Sequence, residues 1–153
     1  MITTLEMGPR INVAAPEFCL VNHENIETTL PEMVGERGLL MGFTGDIWQP
    51  ASVRRILWLQ RHYNQFARMG IDLALLICDK PHMLYGFSMS STTPLRFPLL
   101  ADVDRNVHKL YRMDRYAGLV LLDKDYLIRD KWIVPDERVW PRVAELTSVF
   151  ETL

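Results

Sequence analysis

The side chains best suited to chemistry lie in a short segment that follows the apolar stretch at residues 39–43 and opens an amphipathic helix. A helix N-terminus presents unpaired backbone N–H groups and the positive end of a dipole. Anions and thiolates are stabilised at such a position. The ligand-binding candidates of this segment are Trp48, Gln49, Pro50, Ser52 and Arg55.

Ser52 is the one hydroxyl of this segment near the start of the helix, and three roles are open to it. We interpret it first as a cap of a backbone N–H group or a passive residue. A polar contact to a ligand and a nucleophile are the alternatives. Nucleophilic attack would need an adjacent general base. His62 follows ten residues later, about 15 Å along the helix axis, and is too distant for that role.

Cys19 and Cys78 are the two cysteines of the chain. Their spacing matches neither a Cys-x-x-Cys motif nor a metal-binding pattern, so no metal is predicted. We interpret both as inert thiols buried in strands. The alternative is a reactive thiol, and Cys78 is the better candidate because it ends a strand at the edge of the sheet where the Trp48 segment lies. No role is assigned to His23, His82 or His108.

The helix that begins near Pro50 carries two further candidate features. Arg54 and Arg55 are expected to form a solvated face, or, with the helix N-terminus, a site for an anion or carboxylate. Trp58 falls among basic residues and outside the apolar stripe of the helix. We therefore predict that Trp58 is exposed and contacts another chain, unless a neighbouring loop covers it. The predicted partners are a second copy or another protein, and a small anion.

The composition indicates a globular protein. The 153 residues suffice for one domain, which we assign to residues 1–153, and 48% of them are hydrophobic. A net charge of -2 gives no electrostatic reason to expect nucleic acid or an anionic membrane as a partner. No apolar stretch approaches the ~20 residues of a membrane helix, and the first ten residues do not resemble a signal peptide. We predict a cytoplasmic protein without a cofactor.

Hydrophobic periodicity and turn residues predict an α/β domain. The predicted strands are at residues 15–22, 26–30, 39–43, 71–78, 117–122 and 126–134. The predicted helices are at residues 31–35, 50–69, 82–90, 104–111 and 135–150. Pro141 lies near the start of the closing helix, so its regular part is expected to begin there. The predicted element order is β-β-α-β-α-β-α-β-β-α, in which the short helix at residues 104–111 is not counted.

Residues 45–60 resemble the active-site segment of peroxiredoxins, of the alkyl hydroperoxide reductase/thiol-specific antioxidant kind within the thioredoxin superfamily. In those relatives, the sequence of this segment is often Gly-Asp-Trp-Cys-Pro-x-Cys-Arg-x-Glu-Leu-x-x-Leu-Gln. When Trp48 is aligned with the family's tryptophan, Gln49 and Ser52 occupy the two cysteine positions. The resemblance therefore implies that thiol peroxidase and disulfide exchange chemistry cannot run here by the family's mechanism.

The resemblance extends from about residue 15 to residue 150. The phrases at residues 15–20, 79–81 and 97–102 are similar to family phrases in the same order. It implies a thioredoxin-like fold, with a central mixed β-sheet flanked by helices and a peroxiredoxin-type N-terminal extension. The family's arginine over the peroxide aligns with Ala117, and Arg115 lies about 6.6 Å away along an extended chain. The arginine's role is therefore not assigned to Arg115.

Two functions from different classes follow. The first is a peroxiredoxin-like binding or assembly module without thiol peroxidase or disulfide oxidoreductase activity. The second is a thiol-dependent oxidoreductase or peroxidase that uses Cys78 or Cys19 in a relocated site. A weaker third function is a sensor of a small molecule or anion at the helix N-terminus, over residues 50–53.

Overall fold

Strand β3 (Gly38–Gly45) is the central strand of a five-stranded mixed sheet in the computed structural model, which describes residues 7–135 and 140–153. On one side, β4 (Ile71–Ile77) and then β5 (Leu99–Ala101) run parallel to it. On the other side, β6 (Ala117–Asp123) pairs with β3 in antiparallel fashion, and β7 (Ile128–Val134) pairs with β6. The sheet has helices packed against it, so the predicted α/β class is confirmed.

A small hairpin precedes this sheet. Strands β1 (Cys19–Val21) and β2 (Glu27–Thr29) lie within two predicted strand ranges and pair in antiparallel fashion, and the short helix α1 (Leu30–Met33) follows. The first strand is shorter than the predicted span of residues 15–22. A bridge from Asn22 to Leu100 connects the hairpin to β5.

Four more helices complete the described chain: α2 (Pro50–Arg68), α3 (Pro81–Ser90), α4 (Asn106–Leu110) and α5 (Val143–Phe150). Both α2 and α3 begin at a proline, whose fixed φ and missing N–H group suit the first helical position. The helix predicted at residues 135–150 is regular only from Val143, and residues 136–139 of that prediction lie outside the described residues. No helix among the described residues has the length and apolar character needed to cross a lipid bilayer.

The predicted element order omitted strand β5. Its three residues are all buried and pair with β4. A strand of three residues is too short to show a periodicity of its own. The omission matters because β5 positions Asp102, the residue that follows it directly.

The core consists of two apolar layers, one on each face of the sheet. Side chains alternate along β3, so that Leu40 packs in one layer and Leu39 and Met41 pack in the other. The first layer also holds the buried faces of α2 and α5, where Phe66 and Phe150 meet edge to face with ring centroids 5.2 Å apart. Full burial of one such side chain contributes about 1.5–3 kcal/mol.

Candidate functional site

The candidate site lies where β3 ends and α2 begins. Gly45 has φ +74, a conformation that glycine adopts readily, and the pairing register with β4 shifts at this point. Gln49 is the N-cap of α2, and its carbonyl oxygen accepts a hydrogen bond from the Ser52 N–H group at 2.9 Å. Because no side chain caps this helix end, its positive dipole is available to the adjoining space.

A cavity of about 640 Å³ opens beside this junction. Its wall is formed by the β3–α2 junction, the first turns of α2, the region of α4, the segment at residues 113–117, and the end of β7. These parts of the chain are distant in sequence and meet at the carboxyl end of the central strand, where ligands commonly bind in open α/β sheets. The volume lies within the range of small-molecule sites.

The lining of the cavity is rich in positive charge. Four arginines and two aspartates contribute to it: Arg54, Arg55, Arg105, Arg115, Asp46 and Asp114. Guanidinium groups bind carboxylates and phosphates through paired N–H donors. The excess of guanidinium groups and the N-terminus of α2 together favour an anion in this cavity.

The arginines of the cavity differ in their surroundings. Arg55 is only 4% exposed, and its guanidinium carbon lies 5.5 Å from the centre of the Trp140 ring. The Trp140 indole N–H in turn donates to the Arg55 carbonyl oxygen at 3.1 Å. The expectation that Arg55 belongs to a solvated helix face is therefore wrong, because Trp140 packs over that face. Arg54, by contrast, is exposed, as expected.

Arg105 connects two walls of the cavity. Its guanidinium group donates a hydrogen bond to the Asp114 carbonyl oxygen at 3.1 Å. Arg115 lies 5.5 Å from the ring centre of its neighbour Tyr116. Both Arg115 and Ala117, the residue that the resemblance aligned with the family's arginine, line the cavity. A guanidinium group therefore borders this space even though position 117 is an alanine.

Three of the predicted ligand-binding candidates, Gln49, Pro50 and Arg55, line the cavity. Ser52 does not line the cavity, and it is fully buried. Its hydroxyl donates to the Asp46 carbonyl oxygen at 2.6 Å and accepts from the Thr44 hydroxyl at 3.0 Å. Of the two roles first given to Ser52, a cap or a passive residue, the cap is wrong, because no side chain caps this helix; the Ser52 hydroxyl instead connects the first turn of α2 to the two ends of the β3–α2 junction.

Neither tryptophan of this region has the place expected of it, Trp48 as a ligand-binding candidate and Trp58 as an exposed contact residue. Trp48 is 65% exposed and lies outside the cavity lining. Trp58, the predicted exposed contact residue, is half-buried and packs against the core. Its ring centre lies 4.4 Å from that of His62 and 6.2 Å from that of Phe66. The expectation that Trp58 is exposed is therefore wrong.

The two cysteines also differ from expectation. Cys19 is exposed in β1, so its predicted place in the core is wrong. Cys78 is half-buried directly after β4, and its N–H group donates to the Gly45 carbonyl oxygen at 2.7 Å. Neither of these two cysteines, both within the described chain, lines the cavity. Burial raises the pKa of the Cys78 thiol to about 11, with carboxylates opposing ionisation and Arg105 favouring it.

His108 has partners that the sequence did not reveal. The Cys78 sulfur lies 3.5 Å from its Nδ1 and 3.6 Å from its Nε2. Asp102 is fully buried, and its Oδ2 lies 2.6 Å from the same Nδ1. Burial would raise the pKa of Asp102, but hydrogen bonds from the His108 side chain and from the backbone of His108 and Val107 hold it below its usual value.

One sequence signal could have predicted part of this group. Cys78 and Asp102 directly follow β4 and β5, and these neighbouring parallel strands end at the same edge of the sheet. That signal depends on identifying β5, which is three residues long. His108 lies on the short helix α4 and carries no such signal.

The structure defines an α/β protein whose cavity adjoins the carboxyl end of the central strand. Residues 11–137 match the family model of the AhpC/TSA family, and the chain belongs to this family. The predicted family is thereby confirmed. No curated protein sequence matches the chain.

Solved structures share the fold at low sequence identity. A reduced 2-Cys peroxiredoxin of Plasmodium vivax is 15% identical, with a TM-score of 0.78, over 92% of this chain and 80% of that one. A thiol peroxidase of Chromobacterium violaceum is 14% identical, with a TM-score of 0.78, over 94% and 87%. A yeast mitochondrial 1-Cys peroxiredoxin is 16% identical, with a TM-score of 0.80, over 93% and 75%. The predicted thioredoxin-like, peroxiredoxin-type fold is confirmed.

Proposed function

We propose that this member of the AhpC/TSA family binds a small organic anion in the arginine-lined cavity and has no thiol peroxidase or disulfide oxidoreductase activity. The observation that carries the proposal is the cavity itself. About 640 Å³ of space adjoins the N-terminus of α2 and is lined by four arginines and two aspartates. A molecule with one or two carboxylate or phosphate groups matches this charge and volume.

The side chains at the two aligned cysteine positions support the loss of thiol chemistry. Gln49 lines the cavity, but a carboxamide is no nucleophile. Ser52 is buried, and its hydroxyl already contacts Thr44 and Asp46. A helix N-terminus that stabilises a thiolate in a peroxidase would here stabilise the charge of a bound ligand.

The competing function is a thiol-dependent oxidoreductase that uses Cys78 or Cys19. The contact of Cys78 with His108 favours this function, because an imidazole can act as a base for a thiol. A pKa of about 11 opposes it, because nearly all of the Cys78 thiol is then neutral at pH 7. Cys19 lies in β1 and outside the cavity lining.

Calorimetric titration with citrate and with inorganic phosphate at constant ionic strength tests anion binding. We expect binding to the wild-type protein and about tenfold weaker binding to Arg54→Gln and to Arg115→Gln, since loss of one charged donor costs about 1.4 kcal/mol. Arg68→Gln, an exposed arginine at the other end of α2, is the matched control. Equal affinities in all four proteins, or no binding of either probe, would contradict the proposal.

A hydrogen peroxide consumption assay with dithiothreitol as reductant tests the thiol function. We expect the wild-type protein and the Cys19→Ser/Cys78→Ser variant to give the same rate as buffer with dithiothreitol. Turnover by the wild-type protein that disappears in Cys78→Ser or Cys19→Ser would establish the competing function instead.

A further inference from the structure

Three side chains with metal-binding atoms meet at the carboxyl ends of β4 and β5. One ligand atom from each of Cys78, Asp102 and His108 lies within 4.8 Å of the others, the one such group found among the residues that the structure describes. Asp102 and His108 are buried and Cys78 is half-buried, and His108 also lines the arginine-rich cavity, from which the group can be reached. This arrangement is more than a cysteine with an adjacent histidine, because the histidine is itself held in place.

The separation of Cys78 and His108 fits two ligands of one tetrahedral metal ion. Zinc binds sulfur at about 2.3 Å and imidazole nitrogen at about 2.0–2.1 Å, so two such ligands at a tetrahedral angle lie about 3.5 Å apart. The Cys78 Sγ to His108 Nε2 distance is 3.6 Å. Because the sulfur lies equally close to Nδ1, at 3.5 Å, it is beside the ring and not on the axis of the Nε2 lone pair. The Cys78 side chain must therefore rotate toward Nε2 for the two atoms to share a metal ion.

Asp102 orients the imidazole for this task. Its Oδ2 lies 2.6 Å from His108 Nδ1 and accepts the backbone N–H of His108 at 2.7 Å. Its Oδ1 accepts the N–H of Val107 at 3.1 Å. A carboxylate so placed holds the ring proton on Nδ1 and leaves the Nε2 lone pair free for a metal, as in many histidine metal sites.

The charges around Cys78 also favour a cation. Asp46, Asp79 and Asp102 place negative charge near the sulfur, against the single positive charge of Arg105. A metal ion would replace the thiol proton, which leaves to solvent, and would neutralise part of the negative charge.

We propose that Cys78 Sγ and His108 Nε2 bind one Zn²⁺ ion, with Asp102 positioning the imidazole and water molecules completing the tetrahedron. The thiol proton is released on binding, and no oxidation or reduction occurs. This site goes beyond the proposed anion-binding function and does not depend on it. With two protein ligands it is weaker than a structural zinc site, which has four.

Titration of the Cys19→Ser protein with Co²⁺, a spectroscopic substitute for Zn²⁺, tests the proposal. We expect one Co²⁺ per chain, a sulfur-to-cobalt charge-transfer band, and displacement of Co²⁺ by Zn²⁺. Additional Cys78→Ser should abolish the band, and Asp102→Asn should weaken Zn²⁺ binding 10- to 100-fold. His82→Gln, which changes an exposed histidine, is the matched control and should bind Zn²⁺ as before.

Because Asp102 and His108 are buried, substitutions there carry a risk of misfolding. The second measurement therefore leaves both residues unchanged: nitrogen NMR of the imidazoles in the Cys19→Ser protein, with and without Zn²⁺. We expect the Nε2 resonance of His108 to shift. The proposal is overturned if Zn²⁺ does not bind, if the cobalt band persists in Cys78→Ser, or if the His108 resonance stays unchanged.

Discussion

Cys78 illustrates how a single residue's surroundings set its chemistry. Its sulfur contacts an imidazole, yet that imidazole's Nδ1 is held by Asp102 at 2.6 Å. Burial is the largest influence on the thiol and raises its pKa to about 11. In the absence of a metal, the thiol should therefore be protonated and slow to react at neutral pH.

The pH dependence of alkylation tests this expectation. In the Cys19→Ser protein, we expect the rate of iodoacetamide reaction to rise about tenfold per pH unit from pH 7 to 10, because only the thiolate reacts and its fraction grows until the pH reaches the pKa of about 11. A rate that levels off near pH 7 would contradict the raised pKa. Gln49→Cys in a chain without other cysteines is the control, and its rate should level off below pH ~8.5, because its thiol would lie at the N-terminus of α2.

Ser52 is expected to affect stability more than ligand binding. Ser52→Ala leaves the Asp46 carbonyl and the Thr44 hydroxyl without this partner, and we expect a loss of about 1–3 kcal/mol in the free energy of unfolding. Urea denaturation measures the loss. Ser148→Ala is the matched control, because the exposed Ser148 hydroxyl can exchange its bond to Glu145 for water. Equal effects of the two substitutions on the free energy of unfolding would contradict the role of Ser52 in holding the β3–α2 junction together.

At the residue scale, the sequence predicted where the site lies better than it predicted which residues form the site. Gln49, Pro50 and Arg55 line the cavity, as the position of the helix start suggested. Arg105 and Arg115 come from other segments, and only the folded chain brings them to the same wall. His108 and Asp102 could not be assigned because they lie 30 and 24 residues from Cys78 without a recognisable motif.

At the scale of elements, the long buried strands and α2 were predictable because periodicity and flanking turn residues agree there. The error on α2, by contrast, occurs where a distant segment covers the helix. Position 55 is polar in sequence, but Trp140 packs on it from 85 residues away. Such a contact leaves no trace in the periodicity of α2.

Substitution by alanine should have opposite effects on stability at two glycines that lie in different elements. A Cβ atom at Gly118 in β6 would lie 2.5 Å from the Trp132 carbonyl oxygen in β7, so Gly118→Ala must disturb the strand pairing. We expect the free energy of unfolding to fall by about 1–3 kcal/mol. Gly86 lies in helix α3, and a Cβ atom there would have no other atom within 4 Å. Because glycine in a helix is less stable than alanine, Gly86→Ala should raise the free energy of unfolding by about 0.5–1 kcal/mol. Thermal unfolding of both variants measures the difference, and a stabilised Gly118→Ala protein would contradict it.

At the scale of the whole molecule, the surface indicates where another chain could bind. Trp48 is 65% exposed beside the cavity-forming junction, whereas Trp58 is packed against the core. Tryptophan is enriched at protein interfaces because it combines a large apolar ring with a polar N–H group. We therefore predict that self-association, if the protein dimerises, depends on Trp48.

Analytical ultracentrifugation of two variants tests this prediction. Trp48→Ala should shift a dimer of the wild-type protein to monomer and leave the thermal midpoint nearly unchanged. Trp58→Ala should preserve the association state and lower the free energy of unfolding by about 2 kcal/mol, less than the 3–5 kcal/mol of a fully buried aromatic residue. A dimer that survives Trp48→Ala, or dissociates in Trp58→Ala, would contradict the assignment.

The central position of β3 has a consequence for measurement. Its backbone pairs with β4 and β6, and its side chains enter both apolar layers, so the amide protons of Leu40 and Met41 should exchange with deuterium only when the entire domain opens. A ligand that binds only the native state raises the free energy of that opening by RT ln(1 + [L]/Kd), which is about 2.7 kcal/mol at a hundredfold excess over Kd. Exchange at these amides becomes correspondingly slower. Deuterium uptake at Leu40 and Met41 thus reports occupancy of a cavity that these two residues do not line.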